Sequence, residues 1–316
     1  MSTEFIDLPK PTAGAFDPLK YHDSCAIVSG GMDSVTLVYD MVSRGMKPHL
    51  LSFNYGQRHK KELAFAHIAA KTFGLRHDII DLSSLTGLIS NSALTSDVAR
   101  HTKPMAAQEW SAGKEAGWVS TPHIEVPEGH YAADNMALTV VPNRNMMMLS
   151  IAGAVAVNYG YSQIGTGVHT GDHYQYPDCR PDFVYAVGRT LKKGNEGFHK
   201  FFLDEDLRDE LRSTKKVLGQ DIQGDEGILP ILAPYLEASK QDIAVRGFEL
   251  GVPWHLTWSC YKGETNHCGR CGTCVERLEA IAGAQKVMVE RYPATANVWA
   301  DYTVYDDSEY WKVVTK

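Results

Sequence analysis

The stretch SCAIVSGGMDSVTLVYDMV, residues 24–42, limits the fold more than any other part of this 316-residue chain. A short apolar run, Cys25-Ala26-Ile27-Val28, meets two glycines, and the segment from Ser34 to Val42 is apolar enough for a helix. HLLSFNYG then reads as a strand, Gln57 to Phe73 as an amphipathic helix, and His77 to Ile80 as a further strand. Short apolar strands alternating with longer helices predict a parallel α/β sheet. Tyr161 to Val168 and Ile228 to Pro234 read as later strands. The longest apolar run, MMMLSIAGAVAV from Met146 to Val157, suits a buried helix and is too short to span a membrane.

The turn between the first strand and helix carries the first chemical signal, Val28-Ser29-Gly30-Gly31-Met32-Asp33-Ser34, with Val35 and Thr36 continuing into the helix. Paired glycines let the backbone approach a bulky anion. Free amides at a helix start can hold phosphate oxygens, here helped by the Ser29 and Ser34 hydroxyls. Asp33 is badly placed to meet phosphate directly, so loop organisation or Mg²⁺ coordination is its expected role. The competing reading is an ordinary capped Gly-Gly turn. The string lacks the Gly-Lys-Ser/Thr ending of the usual phosphate loop and is not GxGxxG. It resembles the SGGxDS motif of PP-loop ATP pyrophosphatases, which implies binding of the ATP pyrophosphate and cleavage between the α- and β-phosphates. Shortly after, FNYGQRH offers Arg58 as a phosphate partner, or as a solvated surface arginine, with aromatic and amide groups to shape a nucleotide pocket.

Arg144 lies near a predicted helix start, where its planar fork can grip a carboxylate or phosphate. Asn145 is read as that helix's cap and Met146, Met147 and Met148 as core. In HTGDHYQYPDCRPDF, His169 and His173 stand four apart, but Gly171-Asp172 favours a loop and the HExxH glutamate is absent. They read as polar surface. Asp172, Tyr176, Asp178 and Arg180 form a different set: a ring to stack on a planar heterocycle, carboxylates to accept from its N–H groups, and arginine for a carboxylate. Cys179 reads as a packed residue, since adjacency to Arg180 does not make a reactive thiolate. Ser239-Lys240-Gln241-Asp242 has capping-box chemistry, and Lys240 either reaches a nucleotide phosphate or lies on the helix surface.

Four of the six cysteines crowd into Cys260-YKGETNH-Cys268-GR-Cys271-GT-Cys274. So long a chain needs no disulfide staples. Gaps of seven, two and two residues suit a tetrahedral Zn²⁺ site, with His267 as an alternative ligand and an iron–sulfur centre as the alternative metal. Four thiolates leave zinc no open position, so the metal is read as structural, not hydrolytic.

SGGMDS, FNYGQRH, VPNRN, YPDCRPDF, SKQDIAVRGFELGVP, TWSCYKG and CGRCGTC occur in that order over roughly residues 23–285. On these motifs the chain resembles the QueC family of 7-cyano-7-deazaguanine synthases. The resemblance implies a Rossmann-like PP-loop parallel sheet with helices on both faces and a small C-terminal Cys₄ zinc module. It implies conversion of 7-carboxy-7-deazaguanine and ammonia to the nitrile through an adenylated acid and an amide, in queuosine or related deazapurine biosynthesis. ATP with Mg²⁺ would be co-substrate and Zn²⁺ structural. By this resemblance Asp33, Arg144 and Lys240 are the candidate catalytic residues. ATP falls to Val28–Thr36 and Arg58, and the deazaguanine to Tyr176, Asp178, Cys179 and Arg180, with Asp172 added from the residue reading above, since HTGDHYQ departs from the family's more common form.

The expected organisation is a lead-in at 1–20, a synthase domain at 21–255, a zinc module at 256–285 and a tail at 286–316, with excursions near 100–130 and 190–227. Thirty-one basic against 38 acidic side chains give a formal charge of -7, which speaks against a broad nucleic-acid surface. The acidic, proline-punctuated N-terminus has no apolar secretion core, so a cytoplasmic protein is expected, and a homodimer. Two competitors stand beside the synthase. A PP-loop tRNA thiolase would need a catalytic cysteine pair and a basic RNA-binding extension. A noncatalytic zinc interaction protein would need no ATP turnover.

Overall fold

A computed structural model describes residues 24–89, 92–95, 100–102, 118–120, 124–131, 134–161, 163–195, 231–293 and 299–315. The lead-in, most of the 100–130 excursion and the charged stretch 196–230 lie outside the described residues. The chain opens β1 (Ser24–Ile27), α1 (Met32–Ser43), β2 (His49–Asn54), α2 (Glu62–Phe73) and β3 (His77–Asp81). A small antiparallel pair follows, β4 (Arg100–Thr102) with β5 (Trp118–Ser120). Then come α3 (Arg144–Tyr159), β6 (Gln163–Gly165), α4 (Pro181–Gly194) and β7 (Ile231–Leu232). The chain closes on α5 (Lys240–Glu249), α6 (Gly272–Arg291) and α7 (Trp311–Val314).

The main sheet has the order β3-β2-β1-β6-β7, with all neighbours parallel. Cys25 sits beside His49 on one side and Ile164 on the other, which makes β1 the central strand. Its side chains alternate between two cores. Cys25 and Ile27 join Leu149, Ala152 and Ala156 of α3 and Val187 of α4. Ala26 and Val28 join Leu37 and Val38 of α1, Ala66 of α2 and Ile243 of α5. A parallel sheet covered by helices on both faces needs such continuously apolar strands, and this is the α/β architecture expected.

The second helix starts later than Gln57. The Gln57 side chain braces the loop, Oε1 accepting from the Tyr55 amide at 2.9 Å and Nε2 donating to the Phe53 carbonyl at 3.0 Å, and α2 begins only at Glu62.

From β1 the chain runs one way to β2 and, later, the other way to β6, so a crevice opens at the carboxyl end of β1. A third apolar cluster, including Met32, Val35, Phe248, Trp254, Ala280 and Ala284, ties α1, α5 and α6 together. The four clustered cysteines form their own small core with Val126 and Trp258. Residues 299–315 return to this module: the His267 amide donates to Val304 O at 3.2 Å, and the Asp306 amide to His267 O at 2.8 Å. Among the described residues no helix is long and apolar enough to cross a membrane.

Candidate active site

The loop after β1 is shaped from within. Ser34 Oγ accepts from the Ser29 and Gly30 amides, each at 3.2 Å, and donates to the Gly31 carbonyl at 3.2 Å. Gly30 has φ +93°, and a Cβ there would overlap the carbonyl oxygen of Glu62. This glycine therefore lets α2 press against the loop, which differs from the expected role of making room for an anion. Gly31 stands at the N-cap of α1 and offers no side-chain cap, so the helix brings uncapped first-turn amides and its positive dipole end to the crevice. Val28, Ser29, Gly31, Met32, Asp33 and Ser34 line that crevice. Val35 and Thr36 do not; both are buried in α1, where Thr36 Oγ1 donates to Met32 O at 2.8 Å.

Asp33 meets Lys240, the first residue of α5, at 2.7 Å. Ser239 caps α5 in a complete capping box with Asp242, which fixes where Lys240 projects. Lys240 Nζ also lies 3.3 Å from Glu276 of α6. His169, expected on the surface, is buried beside them, and its Nδ1 accepts the Gly171 amide at 3.1 Å. Its Nε2 lies 3.3 Å from Lys240 Nζ, 3.5 Å from Asp172 and 3.8 Å from Asp33. Burial alone would raise the Asp33 pKa, but the Lys240 charge and His169 outweigh it and hold the carboxyl below its ordinary value. Burial likewise opposes the Lys240 charge, and the carboxylates of Asp33, Glu276 and Asp172 restore it and raise its pKa. Asp33 Oδ1 has no hydrogen-bond partner among the described residues. A buried carboxylate oxygen left bare beside a helix N-terminus fits a ligand for Mg²⁺ accompanying phosphate.

Arg144 opens α3 and lines the same crevice. Its guanidinium lies 5.6 Å from the Tyr176 ring and 5.9 Å from that of Tyr55, and it donates a long bond of 3.5 Å to the Tyr55 hydroxyl. No described carboxylate pairs with it. The residue before it, Asn143, adopts a left-handed conformation at φ 55°. Asn145 is not the cap it was read to be. Asp178 supplies that function from a neighbouring loop, Oδ2 accepting the Asn145 amide at 2.9 Å. Asn145 Nδ2 returns a bond of 3.1 Å to Asp178 O.

Of the YPDCR residues, Cys179 lines the crevice, as does Asp172 upstream, whose Oδ1 accepts the Tyr131 hydroxyl at 3.0 Å. Tyr176 backs Arg144 and is fixed by Thr139 at 2.7 Å. Arg180 turns away, Nε donating to His173 O at 2.8 Å. Arg58 also leaves the crevice, donating to Ile124 O at 3.0 Å. Burial raises the Cys179 thiol pKa, which keeps it protonated.

The Sγ atoms of Cys260, Cys268, Cys271 and Cys274 all lie within 4.8 Å of one another and are buried. Cys268 and Cys274 are 4.0 Å apart, close to the ~3.8 Å edge of a tetrahedron with Zn–S bonds of about 2.3 Å. Backbone amides of Arg270 and Cys271 donate to Cys268 Sγ at 3.4 and 3.2 Å, as thiolate ligation favours. The donor set thus fits a metal ion. His267 is turned away from it: Nε2 accepts the Ser259 amide at 3.2 Å and the ring packs on Trp258. Trp258, Ser259, Tyr261 and Thr273 carry this module into the crevice wall.

A family model described as queuosine biosynthesis protein QueC matches residues 23–285. The chain belongs to the QueC family. It is an enzyme, and its relatives share nearly its whole length. A 7-cyano-7-deazaguanine synthase of Brucella anthropi is 38% identical over 288 residues, covering 90% of this chain and 94% of the relative. Proteins of the same name from Brucella ovis and Brucella suis are each 38% identical over 292 residues, covering 92% of this chain and 96% of the relative.

Within the QueC frame, sequence reading missed His169, Glu276, Tyr131, Tyr261 and Glu62 as parts of the site. Tyr261 follows Cys260 and Glu276 stands two positions past Cys274, places that could have marked them. Nothing local marks His169 or Glu62.

Proposed function

We propose that this enzyme converts 7-carboxy-7-deazaguanine and ammonia to 7-cyano-7-deazaguanine at the expense of ATP. The observation that carries the reading is Arg144, a cation with no carboxylate partner among the described residues, in one crevice with the uncapped α1 N-terminus and the Asp33–Lys240 pair. Two anionic groups can be held there together, a carboxylate and a polyphosphate.

The substrate carboxylate attacks the α-phosphorus of ATP, the bond to the β-phosphate oxygen breaks, and pyrophosphate leaves. Ammonia attacks the acyl carbon, AMP departs with the carbon–oxygen electron pair, and one proton is shed to give the amide. A second activation, at the amide oxygen, with loss of AMP and two nitrogen-bound protons, gives the nitrile. The first-turn amides of α1 and Lys240 would orient the phosphates, and Arg144 would hold the reacting carboxylate. Mg²⁺, held by Asp33, would neutralise phosphate charge. Zn²⁺ on Cys260, Cys268, Cys271 and Cys274 would be structural. The reading includes a cytoplasmic location and a homodimer.

The thiolase alternative finds no support in the cysteine geometry. Among the described residues lining the crevice, Cys179 is the one cysteine, and its thiol is buried.

The test is incubation of zinc-loaded protein with the carboxy-deazaguanine, ammonium chloride, ATP and Mg²⁺, followed by mass spectrometry. Amide and then nitrile should form as AMP accumulates, and absence of both products from folded protein overturns the assignment. Asp33→Ala should lower AMP formation about 10²-fold with zinc content intact. Sulfur incorporation into tRNA under matched conditions would favour the thiolase.

A further inference from the structure

Glu62 is the first residue of α2, and it lines the crevice although it is buried. The two oxygens differ. Oε1 accepts from Gln57 Nε2 at 3.2 Å and lies 3.5 Å from His59 Nε2. No described residue donates to Oε2. The chain holds this carboxyl rigidly from both sides: its own backbone carbonyl packs against Gly30, and Gln57 is itself locked to the Phe53 carbonyl at 3.0 Å.

The charged and titratable groups around it are Arg144, His59 and Tyr55. Burial, with the Arg144 and Arg58 charges, holds the His59 pKa down at about 3, so its ring is neutral. Burial pushes the Tyr55 hydroxyl up to about 12, so that group keeps its proton. Burial pushes the Glu62 carboxyl itself up to about 8, against the Gln57 bond and the Arg144 charge. A carboxylate is the wrong partner for phosphate or for the substrate's carboxylate. It suits a group that arrives carrying protons it must lose.

The proposed amide-forming step has such a group. Ammonia in neutral water is largely ammonium, whose nitrogen has no free electron pair, and the adduct of ammonia with an acyl carbon carries a surplus proton. Resting on the synthase reading above, we infer that Glu62, in its ionised form, is the catalytic base of amide formation, Oε2 receiving the proton that the nitrogen gives up. The nitrogen pair forms the carbon–nitrogen bond, the carbon–oxygen bond to AMP breaks with its electrons leaving on AMP, and the proton passes to Glu62 and on to water.

Glu62→Gln keeps the shape and the contact to Gln57 while removing the base. The probes are ammonium chloride and hydroxylamine, the latter largely uncharged at neutral pH and able to trap an acyl-adenylate as its hydroxamate. In Glu62→Gln, ammonia-dependent amide formation should fall about 10²-fold or more. ATP–pyrophosphate exchange driven by the carboxy-deazaguanine should stay within about twofold of the unsubstituted protein, and hydroxamate formation, whose nucleophile needs no deprotonation before attack, should fall less than amide formation. Unchanged amide formation overturns the inference. Loss of exchange and hydroxamate together with amide also overturns it, since Glu62 would then serve folding or adenylation. Failure of the unsubstituted protein to show exchange overturns the synthase reading instead, which separates the two.

Discussion

Glu62 and Asp33 are carboxylates of one crevice that the fold drives in opposite directions. Asp33 is pulled below its ordinary value because Lys240 and His169 overcome its burial, so its contribution to stability is present above the unfolded pKa and lost as pH falls through the folded one. Glu62, with no cation in ion-pair contact among the described residues, is raised by burial from 4.5 to about 8. Its sign is reversed: stability is full below 4.5 and is lost as pH rises toward about 8. The folded state binds a proton there that the unfolded chain has released. Unfolding free energies of the native chain and Glu62→Gln, measured by urea titration at steps from pH 5 to 8, should therefore diverge. The native chain should lose up to about 1.4 kcal/mol per pH unit relative to the variant. Parallel curves would show that Glu62 ionises at its ordinary value.

At the scale of elements, the sequence was readable where a signal is local. The capping box that starts α5 lies within four residues, and the alternation of β1 lies within five. The start of α2 was misread because Gln57 looks like a helix former and is instead a loop brace. The reason for Gly30 was equally hidden, since it lies in a backbone 32 positions downstream. That contact predicts the outcome of Gly30→Ala. A left-handed alanine costs about 1–2 kcal/mol, and its methyl group must also displace the first turn of α2. Because the loop and Glu62 move together, both ATP–pyrophosphate exchange and amide formation should fall at least tenfold. The Trp258 amide donates to the Gly30 carbonyl at 2.8 Å, but the four cysteines are gathered by contacts of their own, so zinc content should be unchanged. Wild-type rates would mean that α2 yields without disturbing the site.

At the scale of the molecule, the crevice is assembled from segments far apart in the chain, Asp33 and Lys240 being 207 positions from each other. Spacing cannot encode such a pair; only the strand order that returns β6 and β7 beside β1 brings it about. The four-cysteine module was legible from its spacing, but its dependence on the last 18 residues was not, because those residues carry no motif. Arg277 of α6 shows the dependence. It is fully buried and donates to Trp254 O at 2.7 Å and Thr257 at 2.6 Å from the body, and to Tyr305 and Thr303, each at 2.9 Å, from the returning segment. Asp301 stands behind Tyr305, accepting its hydroxyl at 3.0 Å. Asp307 receives Arg270 at 3.2 Å, and its carbonyl fills the space that Gly269 leaves open at φ +75°. A chain ending at residue 298 would keep the four cysteines yet leave Arg277 buried without its nearest carboxylate and strip the backbone bonds from His267. The truncated protein should lose about 3 kcal/mol of stability. It should also release its metal to a chelator faster than the full chain, read by a colorimetric zinc indicator, and lose turnover because Trp258 to Tyr261 form the crevice wall. Equal release rates with equal stability would show that the returning segment merely covers the module.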